Sequence, residues 1–314
     1  MKRFVFLLIF AMLAGCVFSN PSDLVTPAAG DAQDYRGLQL EKLGEYRARF
    51  TMSFEGSSGW WYQALLSSDG DQNELQLSLE GLPPSKDPGD VRSVEANGMV
   101  KLQGEATGGK CWVFPAADQA SVEPLTPDDI IAPASIATEL EKTGSGKILG
   151  RSADQFTFMH ALPPDFSNAE LKLWLDSATG AVLRYEIQLS GEDPVFNSGR
   201  GTLTGEFEIL ELGSIVIEPI PGCSSELPLT DDARDLYLLD DFVAYRTRLS
   251  AEEVVDFLLK SLPPQGWQEA ADTDTIPGTA ALSFQRGETA LEVFIQAEDT
   301  LTEVRFFLAP VPGP

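Results

Sequence analysis

Apolar and polar residues alternate along most of this chain, and a period of two is typical of half-buried β-strands. In the clearest case, Phe50, Met52 and Phe54 alternate with polar neighbours, and Leu75, Leu77 and Leu79 repeat the pattern. The alternation predicts strands over 46–54, 60–67, 75–79, 91–96, 99–104, 110–114, 147–151, 155–161, 170–176, 181–189, 202–212, 242–248, 267–271, 280–285, 291–296 and 304–308. Asn97-Gly98 is a strong hairpin-turn signal between two of them.

Three other stretches have helical spacing. A short helix is predicted over 35–43. Thr126-Pro127-Asp128-Asp129 supplies a cap residue, a proline and two acids for the start of a second helix. Its apolar side would be Ile130, Ile131, Ile136 and Leu140, with a division at Pro133 and an end at Gly144-Ser145-Gly146. Ser250-Ala251-Glu252-Glu253 is a capping box that opens a third helix, which ends near Leu262.

Proline and serine residues after Cys223 interrupt the apolar pattern, which predicts a boundary between two folded domains. We assign residues 1–15 to a signal peptide, 16–34 to a lipidated cysteine with a flexible tether, 35–223 to a first domain and 224–314 to a smaller second domain. The fold class is α+β, with antiparallel sheets in both domains and one helix in the second.

The first residues predict export and a lipid anchor. Lys2 and Arg3 precede an apolar run that is too short to cross a bilayer and fits a secretory signal. The run ends in Leu13-Ala14-Gly15-Cys16, which resembles the bacterial lipobox at all four positions. The resemblance implies cleavage before Cys16, lipid on its sulfur, and attachment to the extracytoplasmic face of a membrane in the cell envelope. The alternative is an ordinary signal peptide with an unrelated cysteine.

The formal net charge of −26 disfavours nucleic-acid binding, because phosphate contacts need clustered lysine and arginine. An anionic bilayer would repel this surface as well, so membrane attachment must come from the lipid. Cys111 and Cys223 remain besides Cys16. In an oxidising compartment they could form a disulfide, and two free thiols are the alternative.

Residue types that carry catalysis form no recognisable constellation. His160 is the one histidine and alternates with two phenylalanines, which favours packing. Asp69, Asp71, Asn73 and Glu80 have calcium-loop spacing, but Glu74 stands where that loop needs glycine, which favours an acidic hairpin. We expect no catalytic residue, metal or cofactor, and we do not expect an enzyme.

A family resemblance adds to this reading. Leu173-Trp174-Leu175-Asp176, a turn ending in Gly180, and Val182-Leu183-Arg184 resemble a recurring element of the LolA-like lipoprotein-carrier group, which includes the mycobacterial LppX and LprG type. The resemblance covers roughly residues 35–221. It implies a curved antiparallel half-barrel with covering helices and a cavity for acyl chains. That cavity would be lined by Phe50, Met52, Phe54, Leu75, Leu77, Leu79, Ile130, Ile131 and Ile136.

The second domain is similar to a small C-terminal module of other bacterial lipoproteins, a resemblance that implies no activity. Together these observations favour a membrane-anchored carrier or binder of a lipid or other apolar ligand. The alternative is a non-enzymatic envelope interaction or sensor protein whose core is filled. The sequence names no protein partner.

We predict that Cys16→Ser abolishes lipid attachment, because the cysteine sulfur is the acceptor in the lipobox reading. Metabolic labelling with a radioactive fatty acid tests this, with the wild-type chain as the reference. Equal incorporation in both proteins would show that Cys16 is not the lipidated residue.

Overall fold

The computed structural model describes residues 38–81, 89–118, 139–159, 166–193, 199–270, 274–276 and 278–311. The predicted signal peptide, lipobox and tether lie outside these residues, as do Ile130, Ile131, Ile136 and His160. The described strands are β1 Tyr46–Gly56, β2 Trp60–Ser68, β3 Gln72–Glu80, β4 Val91–Ala96, β5 Met99–Gly104, β6 Trp112–Pro115, β7 Glu139–Ile148, β8 Arg151–Met159, β9 Phe166–Asp176, β10 Val182–Glu192, β11 Arg200–Leu212, β12 Arg234–Leu238, β13 Phe242–Thr247, β14 Gln268–Glu269, β15 Asp274–Ile276, β16 Thr279–Arg286, β17 Thr289–Glu298 and β18 Leu301–Pro310. One α-helix, α1, spans Ala251–Ser261 within the same residues.

Contacts divide the chain into two compact units. Unit 1 takes its described residues from Met1–Arg92 and Ser121–Glu218, and unit 2 from Ser93–Ala120 and Pro219–Pro314. The passage from one unit to the other near residue 218 lies close to the predicted boundary. The segment 93–120 was assigned to the first domain from sequence, and it groups with the C-terminal residues here. The limits of independently folding domains stay a prediction.

The strands of unit 1 form an antiparallel ladder in the order β3–β2–β1–β11–β10–β9–β8–β7. Neighbours in this order are mostly neighbours along the chain. The exception is β1, which pairs with β2 on one side and with β11 on the other. This long-range pairing joins the two sequence stretches of the unit into one sheet.

The second predicted helix is wrong over 139–143. These residues, including Leu140, belong to β7, which pairs with β8 from Glu139 to Ile148. Gly144 and Gly146 favour this outcome, since glycine is a poor helix former. The strand predicted over 147–151 is also wrong, because Leu149 and Gly150 have positive φ and form the β7–β8 turn.

The 35–43 helix prediction is partly tested. Leu40–Leu43 form a single 3₁₀ turn, and the residues before 38 lie outside the described part of the chain. Leu38 and Leu43 are buried in the core of unit 1. The turn thus contributes apolar contacts at one end of the sheet rather than a covering helix.

The capping box predicted for α1 is confirmed. The Glu253 N–H donates to Ser250 Oγ at 3.3 Å, and the Ser250 N–H donates to Glu253 Oε2 at 2.8 Å. These bonds satisfy amide donors that a helix N-terminus leaves free. Val254, Leu258 and Leu262 are fully buried in the core of unit 2. The helix therefore lies on one face of the C-terminal strands.

The strands of unit 2 pair in the antiparallel order β5–β6–β12–β13–β18–β17–β16, and β16 also pairs with β14 and β15. Strand β12 is a correction, since no strand was predicted between residues 212 and 242. A disulfide joins Cys111 to Cys223, with their Cα atoms 5.1 Å apart. It ties the segment before β6 to the C-terminal residues within this unit.

A polar cluster fixes the turn between β9 and β10. The buried Asp176 carboxylate accepts from Arg151 Nε at 2.7 Å, the Thr179 hydroxyl at 2.9 Å and the Ala178 N–H at 3.1 Å. Gly180 closes the turn with φ of 76°. Burial raises the pKa of Asp176, but the three donors and the Arg151 charge together hold it below its ordinary value.

We predict that Asp176→Asn lowers the free energy of unfolding at neutral pH by about 3 kcal/mol, because the change leaves Arg151 without its buried carboxylate. The contribution of a carboxyl group with a lowered pKa is complete above its unfolded pKa of about 4 and is lost as pH falls through the folded pKa. Denaturant unfolding at neutral and acid pH measures both effects, and the acid-dependent part should be absent in the variant.

Asp154→Asn is the control, since Asp154 makes a partly exposed ion pair with Lys142 at 2.8 Å between β7 and β8. An exposed pair contributes about 0.5 kcal/mol. Equal losses for the two variants would contradict the role assigned to the Asp176 cluster.

Candidate functional site

One face of the unit 1 sheet is apolar across seven strands. The cross-strand register places side chains of β3, β2, β1, β11, β10, β9 and β8 in one row: Leu77, Ala64, Phe50, Phe207, Tyr185, Leu173 and Phe156. A parallel row contains Leu79, Tyr62, Met52, Gly205, Ile187 and Leu171. Side chains in register on one face of a sheet pack against each other. The six strand residues predicted for a ligand cavity therefore share this face, which we call the apolar face.

The opposite face of the same strands carries charged pairs. Arg49 pairs with Glu208, and Arg184 contacts Glu206 at 3.0 Å and lies 5.4 Å above the Trp174 ring. These side chains are partly exposed. The sheet therefore has one face suited to water and one suited to apolar contacts, as the alternation along β1 predicted.

Packing on the apolar face is uneven. Phe50, Met52 and Phe54 are 0%, 1% and 2% exposed, so no water-sized gap lies against them. Leu77 and Leu79 on β3 are only half-buried and pack against the rim of the same cluster. An apolar ligand would meet β3 first, and reaching the strands beyond it would require other side chains to move.

Two glycines make room for the Phe54 ring. Gly56 and Gly201 are opposite each other in β1 and β11. A Cβ atom on Gly201 would lie 2.7 Å from the Phe54 ring and 2.2 Å from the Glu55 carbonyl oxygen. The Phe54 ring also stacks on Trp60 at a centroid distance of 6.2 Å. This end of the apolar face is closed by aromatic rings lying directly on the backbone.

A buried acid lies beside these rings. Trp60 Nε1 donates to Asp193 Oδ2 at 2.9 Å, and both side chains are buried. Trp60 points into the core, and the adjacent Trp61 is partly exposed. Asp193 was missed, because nothing in the local sequence links it to a tryptophan in a distant strand.

The other sequence candidates have structural roles in the described residues. Asp69 Oδ1 accepts from the N–H groups of Asp71 and Gln72 at 3.0 and 2.7 Å, which makes it a turn residue before β3. No group of three or more histidine, cysteine, aspartate or glutamate side chains comes together as a metal site in the described part of the chain. Within those same ranges, no helix is long and apolar enough to cross a membrane.

No protein-family model and no curated protein matches the sequence. Similar solved structures include the MucA/MucB complex of Pseudomonas aeruginosa, with 14% identity, a TM-score of 0.27 and coverage of 87% of this chain and 96% of the other. LprF from Mycobacterium bovis has 12% identity, a TM-score of 0.33 and coverage of 58% and 91%. A DUF1329 family protein from Desulfovibrio piger has 10% identity, a TM-score of 0.22 and coverage of 55% and 89%. Likenesses at these TM-scores carry no argument about function, and membership of the LolA-like group stays a prediction.

We predict that Gly201→Ala lowers the free energy of unfolding by about 2 kcal/mol or more, because the added Cβ collides with backbone and with the buried Phe54 ring. Gly146→Ala is the control. Gly146 lies in β7 of the same sheet, and a Cβ atom added there would meet no atom within 4 Å. Chemical denaturation compares the two. Equal stability of both variants would show that the close approach at Gly201 does not constrain the sheet.

Proposed function

We propose that this protein is a lipid-anchored envelope protein with a binding rather than a catalytic role, and that unit 1 binds a lipid or another apolar ligand. The observation that carries the proposal is the apolar face, which continues through seven strands and has a half-buried margin at β3. A surface of this kind recognises acyl chains by area and shape, and it reads polar head groups weakly.

The energetics favour binding that starts at β3. Each Å² of apolar surface removed from water contributes about 25 cal/mol, so an acyl chain laid along Leu77 and Leu79 would complete their burial. Phe50 and Met52 are already buried, so a ligand would remove no further apolar surface from water there unless their packing opened. Ligand uptake would then combine contact at the margin with displacement of side chains farther in.

A second candidate function is an interaction or sensor protein whose unit 1 core is filled by its own side chains. The tight burial of Phe50, Met52 and Phe54 favours it, because side chains that line an empty cavity are normally accessible to a water-sized probe. In this reading the apolar face is simply the hydrophobic core. Saturable binding of an apolar ligand separates the two candidates.

The anchor is the second part of the proposal. With a net charge of −26, the protein would be repelled by an anionic bilayer, so a covalent lipid on Cys16 would have to hold it there. One acyl chain gives only marginal attachment, and a lipobox cysteine with more than one chain would make it stable. An anchored binder of this kind would exchange its ligand with the adjacent membrane.

We expect a fluorescent fatty acid to bind anchor-free protein saturably and Leu77→Asp to weaken that binding about tenfold or more, since an unpaired carboxylate on the apolar face is costly. Gln76→Asp is the matched control: it adds the same charge at the next position of β3, on the exposed side. Far-UV circular dichroism and unfolding curves establish that all three proteins are folded.

No saturable binding by the wild type would remove the carrier proposal and leave the interaction protein. Equal weakening by the two aspartates would mean that net charge, rather than the apolar face, governs binding.

A further inference from the structure

Three phenylalanines form an exposed patch on unit 2. Phe294 and Phe307 are 48% and 41% exposed, and their ring centroids lie 5.8 Å apart. Phe242 is half-buried, with its ring centroid 5.1 Å from that of Phe307. We call these three residues the phenylalanine patch.

The patch lies on the face of the strands that α1 does not cover. Val243, Val293 and Phe306 are the chain neighbours of the three phenylalanines, and all are buried in the core that includes the helix. Because successive strand residues point to opposite faces, the phenylalanines point away from that core. Single exposed apolar residues are ordinary, but three aromatic rings across β13, β18 and β17, in which Phe307 contacts the other two, are typical of an interaction surface.

A groove continues from the patch. Its volume is about 500 Å³, and its lining includes Phe242 together with Pro115, Ala117, Tyr237, Arg246 and Glu303. Phe242 thus belongs to both features. The groove gives the otherwise flat patch a recess that could hold one anchoring side chain of a partner.

The wall of the groove that comes from the β6 segment is held in place. Cys111, next to β6, is bonded to Cys223, and Trp112 Nε1 donates to Asp240 Oδ1 at 3.3 Å. Lys110 adds an ion pair to the same aspartate at 3.5 Å. These contacts fix Pro115 and Ala117 against the C-terminal strands, so the groove exists before any partner arrives.

The charges around the patch are unbalanced. The arginines are already neutralised: Arg246 lies 3.6 Å from Asp235 and 3.7 Å from Glu298, and Arg305 pairs with Glu303. Glu292 is the cross-strand partner of Phe307, so its exposed side chain lies on the same face, where it accepts a hydrogen bond from the Ser283 hydroxyl at 2.7 Å and makes no ion pair with another described residue. The four carboxylates named here thus outnumber the two guanidinium groups. The patch therefore combines apolar rings with an excess of negative charge.

We propose that the phenylalanine patch and its groove dock a cationic segment of a partner protein that also carries large apolar side chains. Lysine or arginine on the partner would pair with Glu292 and lie over the exposed phenylalanine rings. An apolar residue of the partner would enter the groove. A second copy of this acidic chain fits poorly, because like charges would meet across the interface. The proposal is independent of ligand binding by unit 1.

The test uses the full-length chain in phosphatidylcholine nanodiscs and a fluorescent peptide of alternating arginine and leucine with one tryptophan. Anisotropy should show saturable binding that weakens as salt is raised. Two comparison peptides, with glutamate in place of arginine or serine in place of the apolar residues, should bind about tenfold more weakly or not at all.

Phe294→Ser with Phe307→Ser should weaken binding of the arginine peptide about tenfold, whereas Val216→Ser should have no effect. Val216 is 67% exposed and lies outside the patch, so it controls for general surface polarity. Glu292→Lys leaves the rings intact and should reverse the preference toward the glutamate peptide. Far-UV circular dichroism of each variant establishes the fold.

Three results would overturn the proposal. The first is unchanged binding in the double phenylalanine variant or in Glu292→Lys. The second is stronger association with empty nanodiscs than with the peptide, which would make the patch a membrane contact. The third is a concentration-dependent dimer in sedimentation that the double variant abolishes, which would make the occupant a second copy.

Discussion

The pairing of β1 with both β2 and β11 is the interaction on which unit 1 depends. Strand β2 follows β1 directly, but β11 lies far along the chain, so the second pairing has a large entropic cost of loop closure. Burial of the apolar rows offsets that cost, because Phe50 and Met52 of β1 are in register with Phe207 and Gly205 of β11. The same rows that close the sheet form the surface proposed to bind an apolar ligand.

This double role creates a conflict between stability and binding. A row that packs completely stabilises the fold and leaves no space, whereas a row that stays open loses part of its apolar contact. The chain resolves the conflict by position: the rings near Gly56 and Gly201 are closed over the backbone, and the leucines of β3 are half-buried at the margin. Unit 2 presents its exposed phenylalanines on the strand face that α1 leaves uncovered, so the two proposed sites are made of different residues.

Much of the fold could be predicted where the pattern is local. Alternation along β1, the Asn97-Gly98 turn and the Ser250 capping box can each be recognised from neighbouring residues alone. Asn97 and Gly98 have the positive φ expected of a hairpin turn, 52° and 73°. Predictions failed where distant pairing decides the structure. Glu139 to Lys142 has the composition of a helix but is bound along β8, and β12 is held by β13 and β6. The bond of Trp60 to Asp193 and the contact of Phe294 with Phe307 likewise depend on how the strands come together, which a single sequence does not provide.

Whether unit 1 binds an apolar molecule is measured most directly by mass spectrometry of what the protein carries from the cell. The chain should be secreted without Cys16 so that no covalent lipid contributes, and the purified protein extracted with organic solvent. If unit 1 binds such a molecule, the extract contains an apolar compound at close to one molecule per protein, depleted in Leu77→Asp and retained in Gln76→Asp. A fully folded chain whose extract is no different from that of an unrelated secreted protein would show that unit 1 carries no such ligand.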